Sequence, residues 1–236
     1  MKLIFIRHGD PDYVRDSLTE KGWREAKLLA KRMAKVKMDY VYVSPLGRAQ
    51  DTCNETLKLT GGSATTLDWL AEFYVPIDDP VTGNKRIPWD FYPGYWTKHP
   101  ELYDKDNWVD SEIMATGPVK EQYEKVINGM DALLKEHGYE REGNYYKVLK
   151  GNEDTLVFYC HLGLEFLILS HLLGLAAPVL WQQFFVAPTS VTIVCTEERV
   201  QGEACFRVKQ LGDTSHLYIG GEEASNSGFF METYRD

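Results

Sequence analysis

The sequence predicts an α/β fold, a three-layer α/β/α sandwich around a mostly parallel sheet. Apolar runs without a polar face, at 3–6 and 155–159, are typical of strands that are buried on both sides. Segments with helical periodicity alternate with such runs, as in βα units. This alternation fails from about 73 to 150, so we expect a single domain over 1–236 with an inserted, aromatic-rich cap lobe in that range.

The composition of the chain argues against two classes of binding partner, nucleic acids and anionic membranes. The 236 residues are enough for one large domain with a well-buried core. The net charge is −9 and the acidic residues are spread along the chain, which argues against a nucleic-acid-binding or anionic-membrane-binding surface. An anionic ligand would therefore need a local pocket of positive charge.

Cysteine usage and the absence of a leader pattern favour a cytoplasmic protein. The four cysteines show no CxxC spacing, which indicates reduced and buried thiols. Only a four-residue apolar stretch precedes the first arginine, too short for the apolar region of a signal peptide. The most apolar segment, 162–181, is interrupted by Gly174 and Pro178 and predicts a buried helix with its exit, not a membrane span. The cysteines are Cys53, Cys160, Cys195 and Cys205.

The first third of the chain predicts a strand, a helix, a strand and a second helix. Thr19 is a suitable N-cap for the first helix. After the predicted strand 40–43, Ser44 and Pro45 are typical of a cap followed by proline at the first helical position, which places Arg48 in the first turn. A short third strand at 65–67 is expected before Glu72.

The rest of the chain predicts a lobe and a return to the sheet. Six prolines and many aromatic residues indicate loops and short helices over 73–118. We further expect a helix at about 119–137, a polar loop at about 140–152, a strand at 155–159, a helix at 164–173, and antiparallel strands at 191–195 and 204–208. The tail from 212 to 236 shows little periodicity.

Cations and imidazoles follow the predicted strands. Arg7 and His8 end the first strand, Arg48 follows the second, and His161 follows the fourth. Carboxyl ends of parallel strands meet at one edge of a sheet, so these side chains can converge in one crevice. Two guanidinium groups and two imidazoles suit a tetrahedral oxyanion such as phosphate. The chain lacks Walker-A, EF-hand and HExxH patterns, so we expect no metal ion and no cofactor.

These motifs, taken together and in order, resemble the histidine phosphatase superfamily, also called the phosphoglycerate-mutase-like superfamily. The resemblance covers residues 1 to about 173 and fits 73–150 only loosely. The sequence DTSH at 213–216 also resembles a C-terminal signature common among the phosphatase members. The matching motifs are RHG at 7–9, SPLGRAQDT at 44–52, Glu72 and His161.

The resemblance implies a role for each site residue. His8 would be the nucleophile and form a phosphohistidine. Arg7, Arg48 and His161 would hold the phosphoryl oxygens and stabilise charge in the transferring group. Glu72 would protonate the leaving alkoxide and then take a proton from the attacking water.

Two further residues are expected to support the site. Gly9 lets the chain turn sharply beside the nucleophile. His216 either lines the site or only holds the tail in place.

A different hypothesis uses His8, Asp10, Asp12, His161 and His216 as ligands of a metallohydrolase. The two arginines at the same strand ends would repel a metal cation, which disfavours this alternative.

Departures from the mutase pattern favour hydrolysis. Pro11 and Val14 stand where mutases have a small hydroxyl residue and an asparagine, and FYVP at 73–76 replaces the run that follows the acid in mutases. We therefore predict a phosphomonoester hydrolase, with a mutase-type phosphotransferase or a non-catalytic phospholigand-binding protein as the alternatives.

The expected partner is a small-molecule phosphomonoester, with neither nucleic acid nor membrane. Sugar phosphates, nucleotides, α-ribazole phosphate and phosphoproteins stay open as substrates, and no oligomeric state is predicted. The aromatic residues of the lobe either form walls around the substrate or pack into the lobe's own core. Lys85 and Arg86 could bind a second anion.

Overall fold

The computed structural model describes residues 1–229. The strands are β1 (Lys2–Arg7), β2 (Pro11–Asp12), β3 (Ser17–Leu18), β4 (Tyr40–Val43), β5 (Thr65–Thr66), β6 (Ile77–Asp78), β7 (Lys85–Arg86), β8 (Tyr139–Glu142), β9 (Tyr145–Val148), β10 (Thr155–Cys160), β11 (Val191–Val200) and β12 (Glu203–Asp213). The α-helices are α1 (Glu20–Met33), α2 (Gly47–Thr60), α3 (Pro93–Trp96), α4 (Val119–Glu136), α5 (Leu162–Leu173), α6 (Ala177–Gln183) and α7 (Ser215–Gly220). Short 3₁₀ helices lie at Asp68–Leu70, Pro100–Tyr103, Trp108–Asp110 and Met114–Thr116.

An eight-stranded sheet in the order β5-β4-β10-β1-β11-β12-β9-β8 forms the centre of the molecule. Strands β5, β4, β10 and β1 run parallel, and β11, β12, β9 and β8 extend the sheet by antiparallel pairing. The predicted α/β class is confirmed. The predicted antiparallel pairing of the last two strands is also confirmed, although both strands are longer than the sequence indicated.

The sheet carries a hydrophobic core on each face, because alternate residues of β1 point in opposite directions. Ile4 and Ile6 pack with Leu29 and Met33 of α1 and with residues of α2. Leu3 and Phe5, from the opposite face, join a larger cluster that includes residues of α4, α5 and α6. These two cores give the three layers that the sequence predicted.

The two N-terminal helices differ in how they begin. Thr19 caps α1 as predicted, because its side chain accepts a hydrogen bond from the N–H of Gly22. The prediction for α2 was wrong: the helix begins at Gly47 after Leu46, and the Ser44 hydroxyl, which accepts from the Leu46 N–H over 3.2 Å ahead of the helix, also contacts His161. Arg48 nevertheless lies in the first turn of α2, as predicted.

The segment from 73 to 150 has two parts. Residues 73–118 form loops, the small hairpin of β6 and β7, and short helices, and α4 follows close to its predicted position. The predicted polar loop at 140–152 was wrong, because β8 and β9 form a hairpin at the edge of the sheet. That 73–150 caps the substrate stays a prediction.

The described residues include no helix that is both long enough and apolar enough to cross a membrane. The apolar segment 162–181 forms α5, nearly all of it buried, and the beginning of α6. All four cysteines are free thiols. Cys53 and Cys160 are buried as expected, whereas Cys205 is exposed because it lies on the outward face of β12.

Candidate active site

The carboxyl ends of three neighbouring parallel strands converge at one edge of the sheet. Arg7 at the end of β1 pairs in register with Cys160 at the end of β10, and the N–H of His8 donates to the Cys160 carbonyl over 3.0 Å. On the other side of β10, the N–H of Ser44 donates to the Tyr159 carbonyl. The ends of these strands therefore bring His8 and Ser44 close to His161, the residue that follows Cys160.

The two histidines form the centre of the site. The ring centroids of His8 and His161 are 5.1 Å apart, and both residues are almost completely buried. His8 Nδ1 lies 2.7 Å from the Gly9 carbonyl oxygen, which can only accept, so Nδ1 carries the proton and Nε2 keeps its lone pair. Burial, together with the positive charges of Arg7 and Arg48, holds the pKa of His8 well below 6.5. The imidazole is thus neutral, as a nucleophile must be.

His161 is held by the loop that follows β4. Its Nε2 atom lies 2.7 Å from the Ser44 hydroxyl oxygen, while its Nδ1 atom is buried and has no hydrogen-bond partner. Burial lowers the pKa of His161 well below 6.5, and the neighbouring His8 imidazole and the charges of Arg48 and Arg7 act in the same direction. One ring nitrogen of His161 therefore remains available to a ligand.

Arg7 is fixed by backbone carbonyls from two distant segments. Its Nη1 atom donates to Val186 over 2.7 Å and its Nη2 atom donates to Ser227 over 2.8 Å. The Nε atom is buried without a partner, and burial lowers the pKa of the guanidinium. Since each Nη carries a second hydrogen, Arg7 keeps donors for an anion after these two bonds form.

Arg48 is paired with an acidic residue that the sequence analysis did not single out. Its Nη1 atom lies 2.6 Å from Asp16 Oδ1, and Asp16 Oδ2 accepts from the Gly47 N–H at the start of α2. Burial alone would raise the pKa of Asp16, but the contacts to Gly47 and Arg48 outweigh it and hold that pKa below its usual value. The Arg48 Nε atom is buried and has no partner.

Glu72 lies at the N-terminus of α5, the helix that begins directly after His161. Its Oε1 atom accepts from the Phe73 N–H over 2.8 Å and from the Leu164 N–H over 2.9 Å, and its Oε2 atom accepts from the Gly163 N–H over 3.3 Å. Desolvation raises the pKa of Glu72, although these three N–H groups stabilise the carboxylate. The carboxyl is fixed in position and biased towards its protonated form.

Gly9 is required for close packing beside His8. A Cβ atom on Gly9 would lie 2.9 Å from the Gly22 carbonyl oxygen of α1, and the Gly9 N–H donates to the Thr52 hydroxyl over 2.9 Å. The close approach is thus to α1, and the Gly9 carbonyl orients the His8 ring.

His216 lies behind the backbone of Arg7 and His8. The Thr189 N–H donates to the carbonyls of both Arg7 and His8, over 3.0 and 3.2 Å. His216 Nε2 lies 3.3 Å from the Thr189 hydroxyl, and its Nδ1 lies 3.4 Å from Nη1 of Arg32. Burial and the charge of Arg32 lower the pKa of His216 to about 4. His216 reaches the site through Thr189, whose φ of 58° is in the left-handed region.

Two alternatives from the sequence analysis do not form. Within residues 1–229, no three His, Cys, Asp or Glu side chains are placed to hold a metal ion, so the proposed set that includes Asp10 and Asp12 is not assembled. The second anion site at Lys85 and Arg86 was also wrong. Lys85 pairs with Asp78 and Arg86 pairs with Asp79, both across the β6–β7 hairpin.

A family model for the histidine phosphatase superfamily (branch 1) matches residues 3–83, a range that contains RHG, the α2 motif and Glu72. No curated protein matches the chain. The match and the order of the site residues agree with the resemblance drawn from the sequence.

Solved structures of phosphatases share the fold. A mutant phosphoserine phosphatase from Entamoeba histolytica, in complex with phosphoserine, is 17% identical with a TM-score of 0.58, covering 92% of this chain and 98% of that one. A mycobacterial glucosyl-3-phosphoglycerate phosphatase is 19% identical with a TM-score of 0.58, covering 90% and 99%. An alpha-ribazole phosphatase from Shigella flexneri is 20% identical with a TM-score of 0.52, covering 88% and 95%.

Proposed function

We propose that the chain, whose residues 3–83 match a family model for the histidine phosphatase superfamily, hydrolyses phosphomonoesters of small organic alcohols through a phosphohistidine, without a metal ion. One observation carries this proposal. The Nε atoms of Arg7 and Arg48 and the Nδ1 atom of His161 are all buried without a partner. Buried polar atoms rarely lack partners in native proteins, and the oxygens of a phosphoryl group beside His8 would supply them.

In the first step, the lone pair on His8 Nε2 attacks phosphorus and a P–N bond forms. The bond between phosphorus and the ester oxygen breaks, and protonated Glu72 gives its proton to the leaving alkoxide. The Gly9 carbonyl holds the proton on Nδ1 and stabilises the ring as it becomes positively charged. Arg7, Arg48 and His161 stabilise the charge on the non-bridging oxygens.

In the second step, water attacks phosphorus and the P–N bond breaks. The Glu72 carboxylate, held by the Gly163 and Leu164 N–H groups, takes the proton from the water. Inorganic phosphate leaves, His8 is again neutral and Glu72 is again protonated, so the cycle closes. Phosphomonoester hydrolysis needs acceleration of up to ~10²¹-fold, whereas one general acid gives roughly 10²–10⁴. The cationic residues and Glu72 must therefore act together.

The loop after RHG favours hydrolysis over mutase chemistry. Pro11 pairs in β2 and has no N–H to donate, and Val14 is almost fully exposed. The Val14 N–H donates to Asp12 Oδ1 over 3.1 Å, so neither residue offers a side-chain donor to phosphate. The named activities of the solved structures with this fold are phosphatase activities on phosphoserine, glucosyl-3-phosphoglycerate and alpha-ribazole phosphate. We therefore infer a small-molecule phosphomonoester as the substrate, not a nucleic acid, and a cytoplasmic location in line with the four free thiols.

The test is phosphate release from a panel of phosphomonoesters with EDTA present, using the wild type and His8→Ala. Turnover by the wild type that His8→Ala lacks supports the proposal. Isomerisation of phosphoglycerate with little phosphate release would identify a mutase. Phosphoester binding without turnover would identify a binding protein, and activity that EDTA abolishes and added metal restores would overturn the metal-independent mechanism.

A further inference from the structure

A large cavity lies between the residue 86–96 loop, the end of α6 and the tail at 228–229. Its volume is about 760 Å³, and eight of its fifteen lining residues are aromatic. Pockets of roughly 300–1,000 Å³ with mostly apolar walls are typical of sites for small organic molecules. We name this space the aromatic cavity.

The aromatic cavity adjoins the proposed phosphate site through residues that contact Arg7. The Arg7 guanidinium carbon lies 5.6 Å from the ring centroid of Phe185, which lines the cavity. A Cβ atom on Gly228, another lining residue, would lie 3.2 Å from Arg7 Nη2. One wall of the cavity is therefore in contact with a proposed phosphate-binding side chain.

A second wall of the aromatic cavity adjoins His161 and the proposed acid. Leu162 lines the cavity and directly follows His161. Trp89 also lines it, and its indole packs so closely on Gly163 that a Cβ atom there would lie 2.7 Å from Trp89 Nε1. Gly163 donates to Glu72, the group proposed to protonate the leaving oxygen. The alcohol part of a bound ester would therefore enter the aromatic cavity.

The charged residues of the cavity neutralise one another. Arg86 and Asp90 are its two charged lining residues among those described. Arg86 Nε lies 2.8 Å from Asp79 Oδ2, Arg86 Nη1 lies 3.4 Å from Asp90 Oδ2, and the guanidinium lies 4.1 Å from the ring centroid of Tyr92. Among the described residues, the cavity offers an anionic alcohol no unpaired cation, so its carboxylate would lose hydration without gaining a partner there.

Three aromatic rings of the cavity are about half exposed to solvent, and a bound apolar group would cover them. Tyr92, Phe184 and Phe229 are 45%, 45% and 47% exposed. They come from the 86–96 loop, the end of α6 and the tail, so they surround the cavity from three directions. Contiguous exposed apolar surface marks a site that another apolar surface covers.

We propose that the enzyme acts on phosphomonoesters whose alcohol is large, uncharged and apolar or aromatic. This rests on the proposed phosphatase function and names its substrate class. The alcohol packs against the rings of the aromatic cavity, while the phosphoryl group lies between His8 and the cationic residues. Small alcohols leave the cavity unfilled, and alcohols with a carboxylate are disfavoured by the neutralised Arg86.

The test compares naphthylethyl phosphate, propyl phosphate and 3-phosphoglycerate. All three release primary alkoxides, so the chemical step differs little among them and the alcohol's fit decides the rates. We expect kcat/KM to be about 100-fold higher for naphthylethyl phosphate than for propyl phosphate, because even one methylene group in an apolar pocket is worth roughly 10–200-fold. We expect 3-phosphoglycerate to be the poorest substrate.

The outcomes separate this inference from the proposed function. Equal rates for naphthylethyl and propyl phosphate, or a preference for 3-phosphoglycerate, would overturn the substrate class and leave the phosphatase standing. Turnover of none of the three would contradict the proposed function instead.

A binding measurement tests the cavity independently of turnover. In His8→Ala, naphthylethanol should change the fluorescence of the tryptophans that line the cavity, and the absence of a saturable change would overturn the inference.

A truncation of one cavity ring gives the matched comparison. Phe184→Ala removes a half-exposed ring and should lower the naphthylethyl-to-propyl ratio of kcat/KM about tenfold. Tyr218→Ala removes an exposed ring outside the cavity and should leave that ratio unchanged. A ratio that is equal in the wild type and Phe184→Ala would contradict packing of the alcohol against this wall.

Discussion

Glu72 and Gly163 approach so closely that a Cβ atom on Gly163 would lie 2.8 Å from Glu72 Oε1. Real Cβ atoms do not come this near to a side-chain oxygen, and the same Cβ atom would lie 2.7 Å from Trp89 Nε1. The absence of a side chain on Gly163 thus allows the proposed acid to accept hydrogen bonds at the N-terminus of α5. The activity should depend on this glycine.

We predict that Gly163→Ala lowers kcat by about 100-fold, because a displacement of roughly 1 Å of a catalytic group has that cost. Steady-state kinetics on an alkyl phosphate measures the effect. Gly62→Ala is the matched control, since a Cβ atom on Gly62 would meet only ordinary contacts at 3.6 and 3.7 Å. Wild-type kcat in Gly163→Ala would show that Glu72 does not need its present position.

Glu72→Gln should slow the hydrolysis of an alkyl phosphate by roughly 10²–10⁴-fold, the usual contribution of a general acid. Nitrophenyl phosphate should lose much less in its first step, because nitrophenoxide leaves without being protonated. Burst kinetics with the two substrates measure that step directly. Equal losses for both leaving groups would remove Glu72 from the role of acid.

The pH profile should report a neutral nucleophile and a protonated acid. The pKa of His8 is held well below 6.5, so kcat/KM should fall on the acid side only well below that pH. His161 titrates beside His8, so the acid limb belongs to the pair. The pKa of Glu72 is raised, so proton loss from its carboxyl should produce a basic limb above the usual range of a glutamate. Glu72→Gln should lose that basic limb, and its persistence would contradict the assignment.

Glu165 should make the protein less stable as the pH rises. Its carboxyl is fully buried in α5 with no well-formed hydrogen bond to either oxygen, and burial raises its pKa to about 7 although the Thr192 hydroxyl acts in the opposite direction. Between about pH 4.5 and 7, the folded state keeps a proton on Glu165 that the unfolded state has released. The free energy of unfolding therefore falls as the pH rises through this range. The free energy of unfolding of Glu165→Gln minus that of the wild type should be about 3 kcal/mol larger at pH 8 than at pH 4. Urea unfolding at both pH values measures this, and a difference that does not change with pH would contradict it.

The parts of the site that could be predicted depend on local patterns. The apolar run before Arg7 and His8 predicts a strand with these two residues at its carboxyl end. The apolar run of β10 predicts in the same way that His161 follows a strand. Parallel pairing then brings these ends together. Glu72 could be predicted only through the resemblance, because a carboxylate in a loop has no local pattern of its own.

The parts that escaped prediction depend on contacts between distant segments. Asp16 contacts Arg48 and Thr189 contacts the His8 backbone, yet neither lies in a recognisable motif. Ser44 was predicted to cap a helix because Ser followed by Pro usually does, but His161 binds its hydroxyl. The hairpin at 139–148 was predicted to be a loop, because its polar residues belong to edge strands that face water on one side.

The central claim is that His8 carries the phosphoryl group, and trapping of the phosphoenzyme tests it most directly. The wild type is mixed with a substrate labelled in its phosphoryl group, quenched in alkali, and the protein-bound label is counted. We predict a stoichiometric label on His8 that acid removes and that His8→Ala does not acquire. Turnover by the wild type without bound label, or an equal label on His8→Ala, would contradict the account.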